Sequence, residues 1–184
     1  MATKILLTAE EFAECNPEDG KLYELVRGEL VEMSNPTPRH GAVSAEAVYL
    51  LMGWAKPTKA GLVTCGDPGF ILERAPDTVR GPDVAFVRKE RAADAYAARP
   101  WPEFGPDFVI EVRSPSNSWR EMQEKIAMFF AAGTLLALVL EPDKFAEVHR
   151  PGQEPVRLEL NDTFSAEDVL PGFECKVAGF FPKL

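Results

Sequence analysis

The chain has 184 residues, of which 46% are hydrophobic and 27% are charged, and its formal net charge is −9. This profile is typical of a globular protein that buries a core without disulfide or metal staples, so we expect residues 1–184 to form a single domain. The acidic balance weighs against functions that need a broadly basic surface, because such a chain repels nucleic acid at long range.

Cysteine usage and apolar runs predict the compartment. Cys15, Cys65 and Cys175 are odd in number, far apart and in no CxxC pair, which favours a reducing compartment and weighs against a structural zinc site. The start MATKILLTAEEF has too few apolar residues for a signal peptide. The uncharged stretch 126–140 is shorter than the roughly 20 residues of a membrane span and contains Gly-Thr, so we interpret it as a helix end followed by a strand. We therefore expect a cytoplasmic protein with no membrane partner.

The N-terminal third predicts a helix, a hairpin and a second helix. Thr8 and Glu11 have the spacing of a capping box, which predicts a short helix to about Cys15. The alternation of apolar and polar residues in KLYELVRGELVEMS predicts a β-hairpin around Arg27-Gly28. After a proline-rich entry, apolar residues at helical spacing predict one amphipathic helix, and they are Val43, Ala47, Leu50, Leu51 and Trp54.

The middle of the chain alternates short apolar runs with turn signals. Residues 90–105 predict a helical turn followed by a proline-containing loop. Short apolar runs predict strands near residues 62–65, 70–73, 84–87, 108–112 and 135–140.

Helix signals recur in the C-terminal third. A capping box at Ser118 predicts a helix to about Ala132 that Gly133 ends. The tail predicts a hairpin around Pro151-Gly152 and a short helical segment after Ser165, with Asp168 at capping-box spacing.

Two similar phrases, GPDVAFV and GPDFVIEV, each place a Pro-Asp pair at the start of an apolar strand. Asp107 and Glu111 share one strand face but lie about 13 Å apart at roughly 3.3 Å per residue, so they cannot share a metal ion. If the strand after Asp83 pairs beside the strand of Glu111, a spacing of about 4.8 Å brings those two carboxylates together. They repel unless a cation or a proton lies between them, which predicts a divalent-cation site.

Each candidate residue also has a purely structural interpretation. Glu24 can be a solvent-facing hairpin residue, Asp83 a turn former, and His40 a surface residue of a proline-rich loop. Lys125 can form an exposed ion pair with a glutamate one helical turn earlier. Glu111 is harder to explain in this way, because its four apolar neighbours imply burial and a buried carboxylate needs a cation or a proton.

The order of Pro-Asp, an acidic residue within an apolar strand and a nearby lysine resembles the PD-(D/E)xK nuclease superfamily. Within it, the chain resembles the bacterial putative restriction endonuclease family, formerly a domain of unknown function and abundant in cyanobacteria. The resemblance covers nearly the whole chain, since these phrases fall in the family's order: TAEEF, YELVRGELVEMS, PRHGAVS, GPDVAFV, PDFVIEVRSPS, EKIAMFFAAG and LPGF.

The resemblance implies a restriction-endonuclease-like fold, which is an α/β domain with a central mixed β-sheet flanked by α-helices. It implies a Mg²⁺- or Mn²⁺-dependent endonuclease that acts on nucleic acid, with DNA as the expected substrate, and that forms a homodimer. By the same resemblance Asp83 and Glu111 bind the metal, the backbone carbonyl of Val112 is a third ligand, Glu24 is a further acidic residue of the site, and Lys125 is the catalytic lysine.

Arg113 stands where the superfamily's third signature residue, a lysine, normally lies. An unbroken strand would point Arg113 and Glu111 to the same face. A guanidinium stays protonated, so it can hold a phosphate but cannot easily take a proton from water. We assign Arg113 to phosphate binding or charge balance, and Lys125 to the attacking water, because a short connection should fold its helix back beside the strand.

The net charge of −9 and Arg113 leave two other functions open. One is a catalytically inactive nuclease-like domain with a protein-interaction or regulatory role. The other is a hydrolase of a small phosphorylated substrate, which needs no basic groove.

Overall fold

A computed structural model describes residues 6–15, 20–114 and 117–183. The first five residues, which begin the stretch that we compared with a signal peptide, lie outside these ranges. The helices of the described residues are α1 (Ala9–Glu14), α2 (Pro38–Thr58), α3 (Lys89–Ala97), α4 (Trp119–Ala131) and a 3₁₀ helix (Val177–Phe180). The strands are β1 (Leu22–Val26), β2 (Glu29–Met33), β3 (Gly61–Cys65), β4 (Phe70–Glu73), β5 (Thr78–Arg80), β6 (Val84–Arg88), β7 (Phe108–Val112), β8 (Leu136–Glu141), β9 (Phe145–His149), β10 (Val156–Glu159), β11 (Thr163–Ser165) and β12 (Glu174–Lys176).

The central sheet is mixed, as the sequence predicted. Its strand order is β10-β9-β8-β7-β6-β3, with β7 and β8 parallel and the other neighbours antiparallel. The parallel pair is joined by α4, because parallel neighbours need a crossover connection. A smaller antiparallel sheet has the order β2-β1-β5-β4, and β11 pairs with β12. We call these the large sheet and the small sheet.

The two faces of the large sheet pack against different helices. Phe108, Ile110 and Val112 of β7 belong to the core that includes the buried side chains of α2. Val109 points the other way, into the core formed with α4 and β4. Glu111 alternates to the same side as Val109 and is buried there. A carboxylate therefore occupies a core position between the large sheet and α4.

Side-chain caps begin the helices that border this region. Both predicted capping boxes are present, because Thr8 and Glu11 cap α1 reciprocally and Ser118 and Glu121 cap α4 in the same way. The side chain of Thr37 caps α2, whose first residue is a proline, the position where a missing N–H costs nothing.

The hairpin of β1 and β2 turns at Arg27 and Gly28, as predicted. Both residues have positive φ, 49° and 79°, which a two-residue hairpin turn of this kind requires. Leu25 of β1 is buried against the rest of the small sheet, whereas β2 is largely exposed at its edge. The hairpin is therefore anchored through β1.

The prediction of a helical segment after Ser165 is wrong. Residues 166–172 form hydrogen-bonded turns without a helix, and Pro171 and Gly172, at φ 73°, end them. Asp168 does not cap a helix, because its carboxylate binds the guanidinium of Arg150 at 2.7 and 2.9 Å.

The uncharged stretch 126–140 divides as predicted, into the end of α4 and most of β8. Among the helices of the described residues, none combines the length and apolarity that a membrane crossing requires.

Gly61 lies where β3 approaches β6 too closely for a side chain. A β-carbon at Gly61 would lie 2.1 Å from the carbonyl oxygen of Val87. Because backbone cannot easily move aside, we expect Gly61→Ala to lower the free energy of unfolding by about 3 kcal/mol. Gly53 in α2 is the control, because a β-carbon there meets nothing within 4 Å.

Gly53→Ala should instead raise the free energy of unfolding by about 0.5 to 1 kcal/mol, since alanine favours the helix. Urea denaturation of both variants measures the two effects. A Gly61→Ala protein as stable as the wild type would contradict the close pairing of β3 and β6.

Candidate functional site

A cleft of about 470 Å³ lies where the hairpin of the small sheet, the large sheet and α4 meet. Every residue proposed for the site except Arg113 lines it. Carboxylates dominate the lining, and they are Glu24, Glu32, Asp67, Asp83, Glu111, Glu121 and Glu124. The cationic side chains that line the described part of the cleft are Arg80 and Lys125, and His40 lies among them.

Asp83 and Glu111 meet because β6 pairs with β7. Val84 lies opposite Ile110, and continuing this antiparallel register by one residue sets Asp83 opposite Glu111. Oδ2 of Asp83 accepts a hydrogen bond of 2.6 Å from the backbone N–H of Val112. Asp83 is therefore buried and fixed to β7, which a simple turn former would not be.

Glu111 is the most perturbed carboxyl group of the cleft. Burial raises its pKa to about 8, against the opposing effect of Lys125 and with a further increase from Asp83. Oε2 accepts a hydrogen bond from Lys125, whereas Oε1 lies 2.9 Å from the same ammonium without hydrogen-bond geometry. Glu111 thus has one oxygen that receives no hydrogen bond in a buried position.

Lys125 reaches the cleft from the buried face of α4. Its Nζ lies 2.9 Å from Glu111 and 3.5 Å from Glu24, and its side chain is 12% exposed. The interpretation of Lys125 as half of an exposed pair is wrong, because Glu121 instead accepts hydrogen bonds from Ser118. Burial alone would lower the pKa of Lys125, but the nearby carboxylates, Glu111 foremost, raise it above its ordinary value. The lysine stays cationic.

Glu24 enters the cleft from β1. One carboxylate oxygen binds Nη2 and Nε of Arg80 at 2.7 and 2.8 Å, and the other accepts a hydrogen bond of 3.1 Å from the N–H of Gly81. Burial alone would raise the pKa of Glu24, yet Lys125 and Arg80 hold it below its usual value. The interpretation of Glu24 as a solvent-facing residue is therefore wrong.

Arg113 lies apart from this group. β7 ends at Val112, so Arg113 lies beyond the strand whose alternation would have placed it on the face of Glu111. The guanidinium forms an ion pair with Glu141, lies over the ring of Trp119 with 5.3 Å to its centre, and donates to the carbonyl oxygen of Asn117. Its charge is balanced by Glu141.

Three of the cleft residues that were not assigned to the site from the sequence are His40, Asp67 and Arg80. His40 is the third residue of α2 and not part of a loop, and its Nε2 lies 3.2 Å from Oδ2 of Asp83. Thr37-Pro38 is a helix-start signal that could have placed it. Asp67, in the loop between β3 and β4, and Arg80, at the end of β5, carry no such local signal, because only the tertiary structure brings them to the cleft.

The carboxyl groups fit a divalent cation in their chemistry. Within the described residues, no three side chains of His, Cys, Asp or Glu lie together as a ready metal site. Asp83 and Glu111 nevertheless offer two hard oxygen ligands, and Oε1 of Glu111, which receives no hydrogen bond, would exchange its contact with the Lys125 ammonium for a bound cation. A backbone carbonyl such as that of Val112 is the same class of ligand.

The raised pKa of Glu111 predicts how stability depends on pH. Between the ordinary pKa of 4.5 and about 8, the folded protein holds a proton that the unfolded chain releases. The stabilisation is complete below the ordinary pKa and is lost as the pH rises through about 8. In EDTA, we expect the free energy of unfolding of the wild type to fall over this range relative to Glu111→Gln, which cannot titrate.

Paired urea denaturation at several pH values measures this difference between the two proteins. A difference that stays constant across the range would contradict the raised pKa of Glu111.

Residues 9–178 match the model of the Uma2 family, which is described as putative restriction endonuclease. No curated protein matches the chain. A crystal structure of a putative nuclease belonging to DUF820 from Anabaena variabilis is 20% identical and has a TM-score of 0.77, with 95% of this chain and 97% of that chain covered. At this identity the likeness shows a shared fold. The resemblance to the putative restriction endonuclease family is confirmed, and the chain belongs to this family, Uma2.

Proposed function

We propose that the protein is a metal-dependent endonuclease that hydrolyses phosphodiester bonds of nucleic acid, with DNA as its substrate. Membership of the Uma2 family supports nuclease activity in general. The observation that carries metal dependence is the buried pair of Asp83 and Glu111, with Lys125 at 2.9 Å from Glu111. We further propose a single domain over residues 1–184 from the length and composition of the chain, a cytoplasmic location from its cysteine usage and N-terminal sequence, and a homodimer from the family resemblance alone.

Asp83, Glu111 and the backbone carbonyl of Val112 would hold Mg²⁺ or Mn²⁺. Such an ion polarises a phosphate and lowers the pKa of a bound water. Asp83 is already oriented by its hydrogen bond to the Val112 N–H. Glu111 binds a cation best when ionised, so its pKa of about 8 makes cation affinity rise with pH up to that value.

Lys125 has the position and the charge to act on the attacking water or on the phosphate. Because neighbouring carboxylates raise its pKa, it donates hydrogen bonds and offsets phosphate charge, and it does not serve as a base. Glu24, at 3.5 Å from the ammonium, helps to keep it in the cleft. The ion pair between Glu24 and Arg80 holds the carboxylate of Glu24 in place.

Cleavage of mixed plasmid and single-stranded substrates tests the proposal. We expect products with Mg²⁺ or Mn²⁺, none in EDTA, and none from Glu111→Ala. The matched control is Glu124→Gln, because Glu124 lines the same cleft but is solvent-exposed, so it should retain activity. Cleavage in EDTA, or cleavage by Glu111→Ala at the rate of the wild type, would contradict the proposal.

The charges of the cleft also predict how nucleic acid binds. Arg80 and Lys125 are each paired with carboxylates, so they are poorly available to phosphates. We expect weak binding in EDTA and at least a tenfold loss of affinity between about 50 and 200 mM salt where binding is measurable. Fluorescence anisotropy with labelled oligonucleotides measures both effects. Tight binding in EDTA that salt does not change would contradict this expectation.

The same pairing of cations supports the second candidate, a catalytically inactive nuclease-like domain with an interaction or regulatory role. A cleft this acidic, in a chain with a net charge of −9, is poorly suited to a polyanion unless cations are bound. A protein that binds Mn²⁺ but cleaves no nucleic acid would favour this function. Turnover of a small phosphodiester alone would favour a hydrolase of small substrates.

A further inference from the structure

We infer that His40 is a positioning residue that orients the carboxylate of Asp83 toward the cation site. The inference rests on the proposed function, since it concerns the residue that would bind the metal. It goes beyond the proposed ligands because His40 would act through Asp83 without binding the metal itself.

Two donors converge on one oxygen of Asp83. Oδ2 lies 2.6 Å from the backbone nitrogen of Val112 and 3.2 Å from Nε2 of His40. Neither contact involves Oδ1. With Oδ2 held between β7 and α2, Oδ1 is the oxygen that remains available to a cation. A carboxylate with this arrangement binds with one defined oxygen and loses little rotational freedom on binding.

The backbone around His40 is itself held in place. The N–H of His40 donates to Oγ1 of Thr37, and its carbonyl oxygen accepts from Oγ of Ser44. The neighbouring Arg39 binds Asp143 in the turn after β8, with 2.6 Å between Nη2 and Oδ2. The imidazole is therefore presented by an anchored helix end, and its side chain is only 16% exposed.

The contact does not require a charged imidazole. Nε2 donates a hydrogen bond both in the imidazolium ion and in the neutral tautomer that carries its proton on Nε2. An amide that donates from the same place can therefore replace it. Loss of a hydrogen-bond partner to a metal ligand typically weakens metal affinity by about 10- to 100-fold.

Calorimetric titration with Mn²⁺ compares the wild type with His40→Leu and His40→Gln. We expect His40→Leu to bind Mn²⁺ at least about tenfold more weakly, and His40→Gln to stay within about threefold of the wild type. The matched control is His149→Gln. His149 is also buried beside a carboxylate, 3.3 Å from Glu147, but it lies on β9 outside the cleft, so Mn²⁺ affinity should not change.

A metal-free measurement keeps this inference distinguishable from the proposed function. In ¹⁵N spectra of the imidazoles, Asp83→Asn should shift the signals of His40 and leave those of His149 unchanged. A wild type that does not bind Mn²⁺ would overturn the proposed function, and the ¹⁵N spectra would then decide whether His40 orients Asp83.

Three results would overturn the role of His40. The first is an unchanged Mn²⁺ affinity in a folded His40→Leu protein. The second is a loss of Mn²⁺ affinity in His40→Gln as large as that in His40→Leu. The third is that Asp83→Asn does not shift the ¹⁵N signals of His40. The second result would indicate that the imidazole of His40 binds the metal directly. If His40→Leu does not fold, as judged by circular dichroism, His40→Gln and the spectra still decide.

Discussion

Lys125→Met should abolish cleavage and leave the affinity for Mn²⁺ nearly unchanged. The ammonium of Lys125 is the charge that reaches both Glu111 and Glu24, so without it the cleft has no group in that position to orient water or offset phosphate charge. The ammonium competes with a cation for Glu111 but also lowers the pKa of that carboxyl group, so its removal has two opposing effects on the affinity for Mn²⁺. Cleavage assays and calorimetric titration with Mn²⁺ measure the two effects separately.

Arg113→Lys is the control for this substitution. Arg113 is bound to Glu141 and does not line the cleft, so a lysine there should retain most of the activity and cost mainly stability. Activity in Lys125→Met together with its loss in Arg113→Lys would reverse the roles that we assign to the two residues.

Asp83→Asn and Glu111→Gln should each weaken Mn²⁺ binding by about 100-fold or more and eliminate cleavage. The two carboxyl groups lie opposite each other on neighbouring strands, and the charge of Asp83 raises the cost of ionising Glu111 until a cation is present. An amide keeps the shape of the side chain but removes the charge. Calorimetric titration at about pH 8.5, where Glu111 is largely ionised, measures the loss.

Asp107→Asn provides a closely matched control. Asp107 follows the same Gly-Pro pair as Asp83 and is also buried, but its carboxylate binds Arg91 and the backbone N–H of Arg88. We expect Asp107→Asn to lower stability and to leave Mn²⁺ affinity intact. If Asp83→Asn and Glu111→Gln bind Mn²⁺ as the wild type does, the proposed cation site is wrong.

The elements that carry the site were predictable because their signals are local. The apolar run around Glu111 fills one strand, and the capping box at Ser118 begins α4 where expected. The tail was less predictable, because turn residues 166–172 carry a capping-box spacing without the length or the sequence to continue as a helix. β5 was not predicted, since three residues are too few to establish an alternation.

The composition of the site could be predicted only in part. The meeting of Asp83 and Glu111 followed from one assumption about strand pairing, which the structure bears out. The position of Arg113 depended on where β7 ends and on Glu141 of a neighbouring strand, and neither is visible in a local pattern. Contacts that join distant parts of the chain, such as that between His40 and Asp83, need the tertiary structure.

The cleft combines contacts of very different separation along the chain. Glu111 and Lys125 are 14 residues apart and belong to one strand–helix–strand unit, whereas Glu24 and Arg80 are 56 residues apart. Short loops close at a lower entropic cost, so we expect the contact between Glu111 and Lys125 to form early in folding. The hairpin of β1 and β2, which carries Glu24, should pack against it later. Amide hydrogen exchange should therefore show that β1 and β2 open at a lower free energy than β7 and α4, the elements that carry Glu111 and Lys125.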